Sequence, residues 1–177
     1  MSRNKTKEIA FTSSLFCVSY ELKRGPDWTE LINPAEVFRD IMVDYSYVEC
    51  TSACVQALVS FRHVFPFHRT EEVDRAIAGG ARFIRSVQKE DGSWLGKWAV
   101  CFTYGTWFGV EGLVAAGELP ATSEGLKKAR EWLLSVQNPN GSWGEDFQSC
   151  VQVRRKEENG GGGDCSFVIR HALFSLI

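Results

Sequence analysis

Nine residues recur almost unchanged in this chain, and the recurrence limits what it can fold into. Ser86 to Trp94 reads SVQKEDGSW, and Ser135 to Trp143 reads SVQNPNGSW, 49 positions further on. The agreement continues upstream, where Phe83 aligns with Trp132 and Ile84 with Leu133. In each copy a glutamine ends a helical pattern, a glycine follows four residues later and a tryptophan six residues later. A repeat of this length has room for two helices, as in an α-solenoid or a closed ring of helix pairs. The glutamine amide can bond orphan backbone groups at a helix end while the indole stacks over it. An exposed tryptophan platform for sugar rings is the functional alternative. A rivet between helices is the preferred reading, because both tryptophans follow helix-ending residues.

The rest of the chain reads as all-α, with no convincing strand alternation. Asn33-Pro34-Ala35-Glu36 carries an N-cap residue, a proline and a glutamate in the order of a helix start, which predicts a helix with Phe38, Ile41 and Met42 on one face. Cys50, Ala53, Cys54, Ala57, Leu58 and Phe61 recur at three-four spacing and predict one buried stripe, with Pro66 ending the pattern soon after. Thr70 is the expected cap of the next helix, whose Val73, Ile77, Ile84 and Val87 share a face before Asp91-Gly92 turns the chain. Thr103 to Ala116 reads as a glycine-bearing buried helix closed by Gly117. Ser123 to Gln137 reads as another, with Leu126, Ala129, Leu133 and Val136 inward.

Composition removes several classes of function. Across 177 residues the net charge is -2, with no long basic block, so nucleic acid is not the expected partner. No apolar run reaches the length of a bilayer span. Arg3, Lys5 and Lys7 before Ile9 to Val18 imitate a secretory leader, but Glu8, Thr12-Ser13-Ser14 and the lack of a cleavage site argue against one. The six cysteines, Cys17, Cys50, Cys54, Cys101, Cys150 and Cys165, read as reduced thiols in a chain able to bury a core. Cys50 and Cys54 lie one helical turn apart without further ligands at zinc spacing, so core packing is preferred over a metal site.

The repeated device also carries a resemblance. Gly80, Phe83, Gln88, Gly92 and Trp94, and again Ala129, Trp132, Gln137, Gly141 and Trp143, resemble the QW motif of the squalene and oxidosqualene cyclases, members of the terpene cyclase/mutase family. The flanks Tyr20-Glu-Leu-Lys-Arg-Gly25, Asn33-Pro-Ala-Glu-Val-Phe38, Asp44-Tyr-Ser-Tyr-Val-Glu-Cys-Thr-Ser52, Cys101-Phe-Thr-Tyr-Gly-Thr-Trp107 and Trp143-Gly-Glu-Asp-Phe147 are similar to the lanosterol-forming branch. The resemblance covers residues 20–150, with 1–19 and the charged, glycine-rich 151–177 outside it. It implies a partial (α/α) toroid of helix pairs and an isomerase of sterol biosynthesis that works without metal or organic cofactor.

Such an enzyme opens an epoxide with a strong carboxylic acid and carries the polyene through a series of carbocations. It needs aromatic faces to stabilise the cations and a dry mould to protect them. The resemblance places Tyr20, Phe38, Trp98 and Tyr104 in or near the cavity and Ile41 at the substrate entrance. It makes Cys50 a thiol that hydrogen-bonds the catalytic acid, which would sharpen that acid. The Asp-Cys-Thr-Ala-Glu motif that carries the acid does not occur here, and Asp164-Cys165-Ser166 resembles only its first letters. No catalytic residue is therefore assigned, and the 177-residue chain by itself is expected to be inactive.

Val153-Arg154-Arg155-Lys156 is what GTG-AGA-AGG-AAG would encode, like a splice donor read through, and Phe11 to Val18 uses residues whose codons can be pyrimidine-rich, as before a splice acceptor, which suggests translated intron or a truncated isoform at both ends. The family implies 2,3-oxidosqualene as substrate and a peripheral place on the endoplasmic reticulum membrane or lipid droplets, with a cytoplasmic location for a fragment. A non-enzymatic alternative is a helical interaction or decoy module that pairs with full-length cyclase. Self-association through exposed helix faces is expected of an incomplete toroid. The prenyltransferase β-subunits share the toroid logic, but their zinc ligands are not evident.

Overall fold

The structure is a computed structural model and describes residues 25–35, 40–43, 45–98, 101–146 and 149. Among these residues the regular elements are helical: a 3-10 turn at Asp27–Ile32, then α1 (Val48–Val64), α2 (Thr70–Ser86), α3 (Cys101–Ala115) and α4 (Glu124–Ser135). The described residues are all-α, as the periodicity predicts. No helix among the described residues is long and apolar enough to cross a membrane. Helix α1 packs most extensively on α2 and α3, while α4 joins through α3. Ile84, Trp94, Val110, Leu113, Leu126 and Leu133 have no exposed surface and form the centre of the core.

The helix expected from Asn33 differs. Residues 33–35 and 40–43 are irregular, and the Asn33 side chain accepts from the Ala35 N–H at 2.9 Å, so the cap-like residue closes a local turn. Ile41 and Met42 consequently share no helical face, and Phe38 lies outside the described residues. Thr70 begins α2 instead of capping it. Arg69, at φ 47°, takes the cap position, and the Thr70 hydroxyl donates to the Pro66 carbonyl.

Helix α1 forms where expected but turns the other way. Ala53 and Ala57 are exposed, Phe61 is 36% exposed, and Cys50, Cys54 and Leu58 are only half-buried. The buried face is Val48, Glu49, Thr51, Ser52 and Val55. Glycines on the neighbouring helices explain the inversion. A Cβ at Gly80 of α2 would lie 2.4 Å from Val55, and one at Gly112 of α3 would lie 2.8 Å from the Ser52 hydroxyl. These notches admit small and β-branched side chains at close range, so the helices interlock there and the apolar stripe is left outside.

The two nine-residue stretches fold alike. Each tryptophan is buried and donates its indole N–H to a helix-end carbonyl ten residues back, Trp94 to Ile84 at 2.7 Å and Trp143 to Leu133 at 2.8 Å. The indole therefore satisfies the orphan carbonyl that the glutamine was expected to reach. Each glutamine instead braces the turn: Gln88 donates to Gly92 O at 2.9 Å and Gln137 to Gly141 O at 3.0 Å. Gly92 and Gly141 occupy φ 93° and 81°, a region that favours glycine, which explains their fixed place. The copies differ in what the glutamine reaches. Gln88 also donates to Gly125 O of α4 at 2.9 Å, tying one helix pair to the next, whereas Gln137 is exposed.

Two stability measurements check this packing. Gln88→Leu should cost about 1–3 kcal/mol in urea denaturation and Gln137→Leu clearly less, because only the first breaks a half-buried bridge between helix pairs. A Cβ at Gly109 would lie 2.4 Å from the Trp94 ring. Gly109→Ala should therefore lose about 1–3 kcal/mol through overpacking, although glycine to alanine inside a helix ordinarily gains about 1 kcal/mol.

Candidate functional site

Helix α3 carries a shallow groove made by Gly105 and Gly109, one turn apart. A Cβ at Gly105 would lie 2.5 Å from Gly96 N, and the segment from Trp94 to Gly96 runs along this groove. The Trp94 N–H donates to the Thr106 hydroxyl at 3.0 Å, and the Gly96 N–H donates to the Cys101 carbonyl at 2.8 Å. The rivet thus delivers Lys97 and Trp98 to a fixed place beside the first turn of α1.

Glu49 receives them there. It is 5 % exposed, and its Oε1 accepts from the Lys97 N–H at 2.5 Å and from the Trp98 N–H at 3.4 Å, the second at the long limit of a hydrogen bond. Gly96 makes the approach possible, since a Cβ there would lie 2.8 Å from the same oxygen. Glu49 Oε2 is buried without a hydrogen-bond partner among the described residues. Burial pushes the Glu49 carboxyl above the usual range, against the opposing pull of the N–H donors and Lys97. The Lys97 ammonium in turn pairs with Asp40 at 2.5 Å, with both side chains partly buried.

Four predicted site residues adjoin this cluster. Ile41, half-buried, follows Asp40, and Cys50, half-buried, follows Glu49. Trp98 is 47 % exposed. Tyr104, half-buried on α3, stacks edge-on against Phe108 with ring centroids 4.9 Å apart and lies tilted against Trp107 at 5.8 Å. Burial raises the Tyr104 hydroxyl pKa, and the negative charge of Glu49 raises it further. Trp98 is held beside α1 through its backbone N–H, Ile41 and Cys50 are chain neighbours of Asp40 and Glu49, and the rings of Tyr104, Trp107 and Phe108 form a chain of π-faces along α3. Tyr20 and Phe38 lie outside the described residues.

Sequence reasoning missed the polar groups of this cluster. Glu49 and Asp40 are single acids in ordinary surroundings, and only their burial or pairing distinguishes them. Glu145 is a third such residue. Fully buried, it accepts from the Phe102 N–H at 3.0 Å, the Thr103 N–H at 2.7 Å and the Thr103 hydroxyl at 2.5 Å, so the second rivet caps the start of α3. The cysteines also differ from the all-reduced expectation. Cys50 and Cys54 are thiols, whereas Cys101 is disulfide-bonded.

The raised Glu49 pKa gives a signed expectation. The folded protein holds this proton more tightly than the unfolded chain, so the contribution of Glu49 is fully present below the unfolded value and is lost as pH rises through the folded one. Urea denaturation of wild type and Glu49→Gln between about pH 4 and about pH 8 should shift the stability difference toward the glutamine variant as pH rises. A pH-independent difference would mean that the carboxyl is not desolvated as described.

Comparison with known proteins accounts for this architecture. The squalene-hopene cyclase C-terminal domain family matches residues 31–171. The chain is 58% identical over 134 residues to cycloartenol synthase of Dictyostelium discoideum, covering 75% of this chain and 19% of that protein. It is 51% identical over 140 residues to human lanosterol synthase, covering 77% of this chain and again 19% of the relative. Alpha-onocerin synthase of Lycopodium clavatum is 49% identical over 107 residues, covering 60% of this chain and 14% of that relative. The chain thus spans about a fifth of the length of these curated relatives. Its helix pairs form part of an (α/α) toroid, and the chain belongs to the oxidosqualene cyclases of the squalene-hopene cyclase C-terminal domain family.

Proposed function

We propose that this chain is a portion of a cyclase that converts (S)-2,3-epoxysqualene to lanosterol, and that it supplies one cavity wall while the initiating acid comes from elsewhere in the complete protein. The observation that carries this reading is the buried Glu49 that holds the Lys97 and Trp98 N–H groups beside α1, with the π-faces of Tyr104 and Phe108 along α3. Aromatic faces at Trp98, Tyr104 and Phe108 suit a path of transient carbocations, because the ring quadrupole attracts positive charge without supplying a nucleophile. Tyr20 and Phe38 extend the same wall by resemblance. Cys50 is the group we assign to hydrogen-bond the acid, stabilising its conjugate base and so strengthening it. The substrate is an apolar lipid, which supports a peripheral location on the endoplasmic reticulum membrane or lipid droplets for the complete protein.

The 177-residue chain alone is expected to release no sterol from oxidosqualene above background, and any turnover above background would contradict its inactivity. A chimera tests the function itself. Residues 31–150, common to the family match and the resemblance, replace the matching segment of human lanosterol synthase, and the products are identified by gas chromatography and mass spectrometry. Lanosterol is expected. Cycloartenol would overturn the proposed product, and absence of any cyclised product would overturn the cavity-wall reading.

The outward apolar stripe of α1, at Ala53, Ala57 and Phe61, favours one further reading, an interaction or decoy module that associates with full-length cyclase. Pull-down of full-length cyclase by this chain is its expected result, and no capture would remove it.

A further inference from the structure

We infer that Glu49 is a positioning residue which, together with the Lys97–Asp40 ion pair, sets where the Trp98 ring stands relative to Ile41. The inference as it concerns the cavity wall rests on the cyclase reading above. Trp98 and Ile41 come from segments 57 residues apart in sequence, and neither is placed by a helix of its own. What joins them is a continuous polar path. The Glu49 carboxylate holds the Lys97 and Trp98 backbone N–H groups, the Lys97 ammonium extends to the Asp40 carboxylate, and Ile41 follows Asp40 in the chain.

Each link is suited to fixing geometry. Glu49 is anchored in the first turn of α1, where the helix dipole favours negative charge, and its burial keeps water from competing for Oε1. Gly96 lets the backbone approach that oxygen, so the contact is set by close packing as well as by hydrogen bonds. Lys97 and Asp40 are only 19% and 30% exposed, which shields their pair from solvent more than a surface bridge would be. Asp40 itself sits at φ 53°, a conformation uncommon for a residue with a side chain and consistent with a segment held by its contacts. A single carboxylate therefore governs the spacing between an aromatic face and the residue assigned to the substrate entrance.

The test labels this 177-residue chain with 5-fluorotryptophan and assigns the Trp98 fluorine resonance by its loss in Trp98→Phe. Glu49→Leu should shift the Trp98 line toward the free amino acid and increase its solvent isotope effect, while the Trp94 and Trp143 lines stay in place. Glu49→Gln keeps an oxygen acceptor and should hold the Trp98 line near its wild-type position. Asp40→Asn, which alters only the outer link, should move Trp98 in the same direction by less. If Glu49→Leu fails to fold, Asp40→Asn and Glu49→Gln decide the matter.

A Trp98 line that Asp40→Asn and Glu49→Leu leave unmoved would overturn the inference. So would equal displacement of all tryptophan lines in every variant, because Glu49 would then be acting as general core packing. The readout involves no turnover. Movement of Trp98 alone, beside a chimera that makes no sterol, would retain the positioning role and remove the cyclase reading.

Discussion

The structure depends on the seating of Trp94 in the glycine groove of α3. Its ring lies so close to Gly109 that no side chain fits there, its backbone N–H is held by Thr106, and its indole closes the end of α2 at Ile84. One residue thus joins two helices and fixes the direction in which the chain leaves the turn. That direction carries Gly96, Lys97 and Trp98 to the first turn of α1. Without this seating, Glu49 would be a buried carboxylate with no N–H groups to accept from, a costly state in a core of this density.

The second turn uses the same device for a different end. Trp143 closes α4 as Trp94 closes α2, and Glu145, two residues beyond, reaches the start of α3. Helix α3 is consequently held at its first turn by the second copy and along its groove by the first. The copies share the indole and glutamine bonds of the turn and are unequal in what they connect. Gln88 reaches across to α4, while Gln137 braces only its own turn among the bonds described.

Much of this was legible in the residues. The repeated stretch announced two equivalent turns, the glycine positions matched their positive φ, and the periodicity located all four long helices. The orientation of α1 was not legible, because a stripe of apolar residues ordinarily marks the buried face. Here Gly80 and Gly112 sit on other helices, and their notches select Val55, Thr51 and Ser52 instead. Sequence spacing cannot report such tertiary pairing. The same limit hid Glu49 and Asp40, whose importance arises from neighbours 48 and 57 residues distant. Asn33 misled for the opposite reason, since a cap residue can close a local turn without starting a helix.

The central claim is that the first turn is locked into α3 and thereby fixes where Lys97 and Trp98 lie against Glu49 of α1. Native-state hydrogen exchange at the Trp94 indole N–H and the Lys97 amide tests it most directly. Both should exchange as slowly as the innermost amides of α3, because both require opening of the core to reach water. Exchange as fast as at the exposed Asn140 turn would mean that the turn is not locked, and the proposed placement of the wall would fail with it.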